Sequence, residues 1–192
     1  MSFTLEMPPG GLKSKEHLSL NRRGQIPILK DGDVVVNESI AQMIYLDAHH
    51  EGTKQLTPKE KSQHAIFLAR LMEVNNLTMA YGPIMFKGLF GQGQTTREQV
   101  LMLMGELNIW NSYAEQSEWL AGQDISLVDI AAFPSIAGCI FIGIQLEKTY
   151  PSLYKWYAKM CERDSVKNTW PFKDMYSRPH SVPAITSLYQ SL

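Results

Sequence analysis

Glu38 and Ser39 stand side by side just after an apolar run and just before a helical one. A hydroxyl and the free N–H groups of a helix's first turn make a ready site for an anion. The Glu38 carboxylate next to them suits a cation. An anion and a cation on one carbon describe an amino-acid head group, which this pair is equipped to grip. Upstream lies Arg23-Gly24-Gln25-Ile26-Pro27, which leads into the same place. The elements that must position these residues are short. Ile26 to Lys30 and Asp33 to Val36 are rich in β-branched residues, and Asp31-Gly32 between them predicts a two-residue hairpin turn. Ile40, Met43, Ile44 and Leu46 then follow at helical spacing, to about His49. Plainer alternatives stay open at this point: Gln25 as an exposed turn residue, and Glu38 and Ser39 as a helix start only.

The rest of the chain narrows the classes. Its 192 residues, 44% of them hydrophobic, suffice for one or two small domains with a sizeable core. A net charge of −1 gives no bulk attraction to nucleic acid or to a membrane surface. No apolar run reaches the roughly 18 residues a membrane helix needs. The start, Met1 to Pro9, lacks the pattern of a signal peptide. Cys139 and Cys161 have no metal or redox spacing and read as buried free thiols of a reducing cytosol. His49-His50 close a helix, and His64 and His180 lack partners at ligand spacing, so no metal site is expected. Arg70 and Glu73, at i and i+3, read as an exposed or interface pair.

Around the hairpin, Met1 to Gly11 reads as an irregular arm and Ser14 to Leu20 as a short helix. Residues 51–56 form a plausible linker. Beyond them everything is helical. Thr57-Pro58-Lys59-Glu60 predicts a capping box opening a helix to about Ala80, with Ala65, Phe67, Leu68, Leu71, Met72 and Val74 facing a core. Gly82-Pro83 should interrupt it, and Gly88 to Gln94 should be loop. Thr95 to Glu98 predicts a second box, ahead of a helix with Leu101, Met104, Leu107 and Trp110 inward. Ser126 as N-cap and Asp129 at N3 form a third. They are read as structural although Ser and Asp together resemble a catalytic pair. The helix behind them, to about Gln145, is apolar on nearly every face, with Pro134 a possible kink. Tyr150-Pro151 opens one more helix, Ser152 to Arg163, and a last short one is expected from Ala184.

Gly24, Gln25, Ile26, Pro27, Glu38 and Ser39 closely resemble the "Gly-Gln-hydrophobic-Pro … Glu-Ser" signature of the cytosolic glutathione transferases. The Ser126/Asp129 box resembles that family's central helix. Lys13-Ser14 … Asn21-x-Arg23-Gly24-Gln25-Ile26-Pro27 looks most like the rho class, with theta-like classes next. The resemblance implies an α+β, mostly α fold: a truncated thioredoxin-like part at 1–50 and an all-helical C-terminal domain at 57–192. It implies glutathione as co-substrate, a cis proline at Pro27, and a glutathione site of Gln25, Ile26, Pro27, Glu38 and Ser39. It further implies a hydrophobic electrophile as second substrate, bound by the helix around Val74 to Tyr81 and a loop around Met85 to Phe90. A homodimer in the cytoplasm completes the expectation.

Three departures qualify it. The strand, helix and strand that carry the family's activating Tyr, Ser or Cys have no counterpart ahead of Gly10, so no catalytic residue is assigned. Leu12 stands where related classes place a His for the glycine end of glutathione, with Lys13, Arg22 and Arg23 as substitute cations. The usual Asn-Pro is Asn21-Arg22. Only a few per cent of a free thiol is thiolate at neutral pH, so anchoring without activation holds the reactant but does little for the barrier. The expected function is therefore glutathione conjugation for detoxification, impaired by that loss. The alternative is a non-catalytic interaction or structural module of the same fold.

Overall fold

The computed structural model describes residues 4–50, 54–90 and 94–169. The chain divides into two compact units, Met1–Gln55 and Leu56–Leu192. The helix expected from Ala184 and His180 lie outside the described residues, as do parts of the arm, the linker and the loop after Phe90.

The first unit runs α1 (Lys15–Leu20), β1 (Ile28–Asp31), β2 (Val34–Asn37) and α2 (Ser39–His49). The strands pair antiparallel, from Ile28 opposite Asn37 to Asp31 opposite Val34. The central turn residues are thus Gly32-Asp33, one position later than the expected Asp31-Gly32. Gly32 has φ 58°, as a turn with a left-handed first central residue requires. The last residue of β1 also meets α2: the Asp31 carboxylate accepts from the Tyr45 hydroxyl at 3.0 Å and lies 4.0 Å from His50 Nε2. The bond to Asp31 raises the Tyr45 phenol above its ordinary pKa. Among the described residues the sheet has these two strands alone. Val34 and Val35 are exposed, while Ile28 and Val36 are half-buried.

The second unit is helical: α3 (Lys61–Phe90), α4 (Arg97–Gln116), α5 (Leu127–Phe141), α6 (Leu146–Thr149), α7 (Pro151–Cys161) and α8 (Asp164–Thr169). Helix α3 packs on α4 and α5, and α4 on α7. Several expectations are corrected here. Helix α3 starts at Lys61, not at Pro58, because Glu60 is its cap. The Glu60 carboxylate accepts from the N–H groups of Ser62 at 3.1 Å and Gln63 at 2.9 Å, and from the Ser62 hydroxyl. The Pro58 carbonyl is taken by the His64 ring at 2.9 Å, which keeps 57–59 as a lead-in. Helix α3 also runs straight through Gly82-Pro83, so Gly88–Phe90 are helix and not loop. Packing overrides the lost bond: Leu77, Ala80 and Tyr81 before the proline and Ile84 after it are all buried.

The buried stripe of α3 is Phe67, Leu71, Val74, Leu77 and Ile84, whereas Ala65, Leu68 and Met72 face outward. In α4 the box is Thr96 with Gln99. Its buried stripe is Val100, Leu103, Leu107 and Trp110, with Leu101 exposed and Met104 half-buried. A helix turns every 3.6 residues, so a run of strict threes drifts off the core face while the 3-4-3 set stays on it.

Helix α5 is buried on most faces and continues unbroken past Pro134, then ends at Phe141 ahead of a turn at Ile142-Gly143. The Ser126/Asp129 box forms in full. Asp129 does more than cap. Its carboxylate accepts from Leu120 N–H, Ser126 N–H and Trp156 Nε1, each at 2.8 Å, and from the Ser126 hydroxyl at 3.1 Å. Burial raises its pKa while these four donors pull it down. One carboxylate thus joins α5, α7 and the segment before α5. Helix α7 opens at Pro151 and is capped from outside, since Asn111 Oδ1 of α4 accepts from Ser152 and Leu153 N–H at 3.1 and 3.0 Å.

Arg70 and Glu73 do not pair with each other on the surface. They bracket Tyr113: the guanidinium lies 4.0 Å over its ring, and Glu73 accepts its hydroxyl at 2.8 Å. Burial, then the bond to Glu73, pushes the Tyr113 phenol up to about 12. Both cysteines are free. Cys139 is fully buried and its thiol is pushed well up, but Cys161 is only partly buried.

Candidate functional site

The site is built around a bent segment, 24–27, whose carbonyls are held from three sides. Ser14 caps α1 by accepting from His17 N–H at 3.2 Å. This short helix delivers His17 and Asn21, both buried. His17 Nε2 and Asn21 Nδ2 meet the Gln25 carbonyl at 3.1 and 3.0 Å. A carbonyl only accepts, so His17 carries its proton on Nε2. Asn21 Oδ1 takes the Arg23 N–H at 3.0 Å, and Asn21's carbonyl takes Gly24 N–H at 2.8 Å. Gly24 has φ 61°, and a Cβ there would lie 2.6 Å from the Leu12 carbonyl oxygen. Both the angle and the space demand glycine.

The Ile26–Pro27 peptide is cis. Past it, Gln42 of α2, also buried, donates Nε2 to the carbonyls of Pro27 at 3.0 Å and Val36 at 2.9 Å. Asn37 ties the end of β2 to α1 through the Leu20 carbonyl at 3.0 Å. Ile26, by contrast, makes no backbone hydrogen bond to the described residues. Glu38 follows at φ 68°, ψ 119°, a conformation that costs a residue with a Cβ about 1–3 kcal/mol and persists only where surroundings impose it. As the residue before α2 it gives the helix no side-chain cap.

A cleft of about 340 Å³ opens over this segment, lined by Leu12, Asn21, Gly24, Gln25, Ile26, Pro27, Glu38 and Ser39. All five residues singled out from the sequence line it. Gly24 of the signature, Leu12 and Asn21 line it too, and His17 and Gln42 behind the wall were missed. The signal for Gln42 was a glutamine within an amphipathic stripe; for His17, a histidine three residues past a capping serine. Lys13 Nζ donates to the Arg23 carbonyl at 3.1 Å and does not line the cleft. Of the stretch expected to form a wall from Val74 to Tyr81, Val74, Leu77, Ala80 and Tyr81 are buried within their own unit and Met79 is exposed, as is Phe86 in the stretch expected as loop. Among the described residues no three His, Cys, Asp or Glu gather as for a metal ion, and no helix is long and apolar enough to cross a membrane.

The arrangement can bind an extended peptide. Ile26's free N–H and C=O can pair with a ligand backbone as a further strand would. Glu38 can take an ammonium, and the uncapped start of α2 with the Ser39 hydroxyl can take a carboxylate.

A hairpin-and-helix unit with a cis-proline cleft, followed by a helical unit around a buried capped helix, is the mostly helical α+β architecture of a thioredoxin-like part joined to a helical domain. The family model "Glutathione S-transferase, C-terminal domain" matches residues 77–164. Glutathione S-transferase A of Pleuronectes platessa is 29% identical over 178 residues, covering 88% of this chain and 79% of that protein. A glutathione S-transferase of Silene vulgaris is 31% identical over 184 residues, covering 86% and 82%. Among solved structures, a glutathione S-transferase of the Antarctic clam Laternula elliptica superposes with a TM-score of 0.75 at 28% identity, covering 92% of this chain and 82% of that one. The chain belongs to the glutathione S-transferase family.

Proposed function

We propose that the cleft holds glutathione and that the chain acts in conjugating it to hydrophobic electrophiles, as a rho-like cytoplasmic member that pairs with a second copy. The observation that carries this is the free backbone of Ile26 lying in one cleft with Glu38 and Ser39. Glutathione's γ-glutamyl head bears the ammonium and carboxylate that Glu38 and the start of α2 would take, and its cysteinyl unit has the backbone Ile26 would pair with. The exposed Leu68, Met72, Leu101 and Met102 on α3 and α4 support pairing with a second copy.

Chemistry needs the thiol as thiolate, stabilised by a hydroxyl or backbone donor. Of the eight lining residues only Ser39 has a hydroxyl, and none has a thiol or phenol. With Ser39 engaged on the head group, the eight lining residues offer glutathione anchors and no side-chain activator. This favours slow turnover, and it supports the second reading, a glutathione-binding interaction module. Calorimetry tests the site: Glu38→Ala or Ser39→Ala each removes a charge-assisted contact of about 1.5–3 kcal/mol, a loss of roughly 10- to 150-fold in affinity. Unchanged binding in both variants would remove the assignment. Rates with a standard electrophile at pH 6.5, where uncatalysed thiolate is scarce, separate the two readings. A rate matching active relatives overturns the slow-turnover reading.

A further inference from the structure

The Gln25–Ile26 peptide is held on one side and open on the other. Its carbonyl takes two donors, His17 Nε2 at 3.1 Å and Asn21 Nδ2 at 3.0 Å, from side chains that are both buried. A carbonyl oxygen has two lone pairs, so both places are filled. Among the described residues the one cis peptide is Ile26–Pro27, so Gln25–Ile26 is trans. In a trans peptide the C=O and N–H point in opposite directions. Fastening the carbonyl on His17 and Asn21 therefore turns the Ile26 N–H away from them, and Gln25 and Ile26 both line the cleft. That N–H has no partner among the described residues. The next peptide adds no donor, since Pro27 has no N–H.

Donors on a carbonyl also draw charge from the amide nitrogen and strengthen the N–H on the far side, by about 10–30% for each bond. Of the two donors, Asn21 serves other groups as well: its Oδ1 takes the Arg23 N–H and its own carbonyl takes the Gly24 N–H. The His17 ring has the Gln25 carbonyl as its one hydrogen-bond partner among the described residues. We propose that His17 is a positioning residue for the cleft's ligand. It aims and strengthens the Ile26 N–H, so that the grip on a ligand carbonyl depends on a buried hydrogen bond the ligand never touches. The inference rests on the glutathione reading of the cleft.

The test is an amide-shift titration of the whole chain with glutathione, in wild type, His17→Leu and His17→Gln. Leucine fills the space of the ring without a donor, whereas a glutamine amide can stand where Nε2 stands. In wild type the Ile26 amide proton should move downfield at saturation, and further than that of Gln25. His17→Leu should start with its Ile26 amide proton upfield of wild type and bind glutathione at least fivefold more weakly, about the worth of one hydrogen bond. His17→Gln should restore the affinity to within threefold of wild type. The neutral His17 ring should carry its proton on Nε2 in a long-range proton–nitrogen spectrum. Should leucine cost the hairpin its fold, the wild-type shifts, the ring spectrum and His17→Gln still decide. A ring proton on Nδ1, an Ile26 proton unmoved or upfield at saturation, wild-type affinity in a folded His17→Leu, or a loss of fivefold or more in His17→Gln overturns the proposal alone. Failure of wild type to bind glutathione overturns the glutathione reading and this inference with it.

Discussion

Replacing Gln42 by Leu keeps the packing volume of a buried side chain and deletes one amide group. That amide donates to Pro27 and Val36 at 3.0 and 2.9 Å, the two carbonyls that join the cleft's floor to the hairpin. Val36 lies within the strand ladder, opposite Leu29. For it the cost is one net hydrogen bond, about 1 kcal/mol. Pro27 lies outside the ladder and is left as an unpaired, part-buried acceptor, costing about 1–3 kcal/mol. The sum is about 2–4 kcal/mol, and it falls on the first unit, whose two-stranded sheet is marginal without its helix cover. At 1.4 kcal/mol per decade, hydrogen-exchange protection of the β1 and β2 amides should fall roughly 30- to 700-fold. Protection in α5, in the other unit, should not change. Tyr45→Phe removes the exposed bond to Asp31 and serves as the control; it should leave hairpin protection within threefold. A fall of threefold or less in Gln42→Leu would refute the view that this amide holds the cleft together.

Other outcomes follow from the same geometry. Gly24→Ala forces a Cβ to 2.6 Å from the Leu12 carbonyl at φ 61°; the left-handed angle alone costs about 1–2 kcal/mol, and glutathione-induced shifts at Gln25 and Ser39 should disappear. Asp129→Ala strands four donors around a buried position and should lower stability by about 3–5 kcal/mol, read as an earlier urea midpoint at unchanged slope. Glu60 has its pKa lowered to about 2, first by the Ser62 hydroxyl and then by the Gln63 and Ser62 N–H groups. A depressed acid stabilises the fold above its unfolded value near 4.5 and loses that contribution as pH falls through about 2. Glu60→Gln should therefore be less stable than wild type at pH 6, with the gap closing toward pH 2. Carbonyl-carbon NMR should place the Glu60 midpoint near 2, and a midpoint above 4 would contradict the capping geometry.

Local chemistry made part of the fold legible, although the boxes read at Thr57–Glu60 and Thr95–Glu98 prove to be a Glu60 cap and a Thr96/Gln99 box. Ser126 and Asp129 announced their box because capping needs only residues three apart, and the box is there. Ser14 likewise marked the start of α1. Errors came where distant packing decides. Pro83 reads as a break in isolation, yet buried residues on both sides carry α3 through it. Ala65, Leu68 and Met72 are apolar but lie on the outer face, which no count of hydrophobic residues distinguishes from the inner. Arg70 and Glu73 sit at pairing distance along one helix, but Tyr113 of the neighbouring helix claims both. At the cleft, the residues on display could be named from their types. The groups behind them, His17 and Gln42, act on backbone carbonyls many positions away, and no motif spacing encodes that.

The cleft's floor separates shape from identity. His17 and Asn21 fasten the carbonyl before Ile26, and Gln42 fastens the one after it, while Ile26 itself offers only backbone and a side chain that is 53% exposed. Position 26 is thus a place where the chain can drift among side chains without altering what it presents. His17 and Gln42, buried behind the lining, and Asn21, buried within it, are where a substitution would undo that geometry. A substitution at 26 changes the side chain the cleft shows outward, whereas its hydrogen-bonding geometry comes from these buried residues.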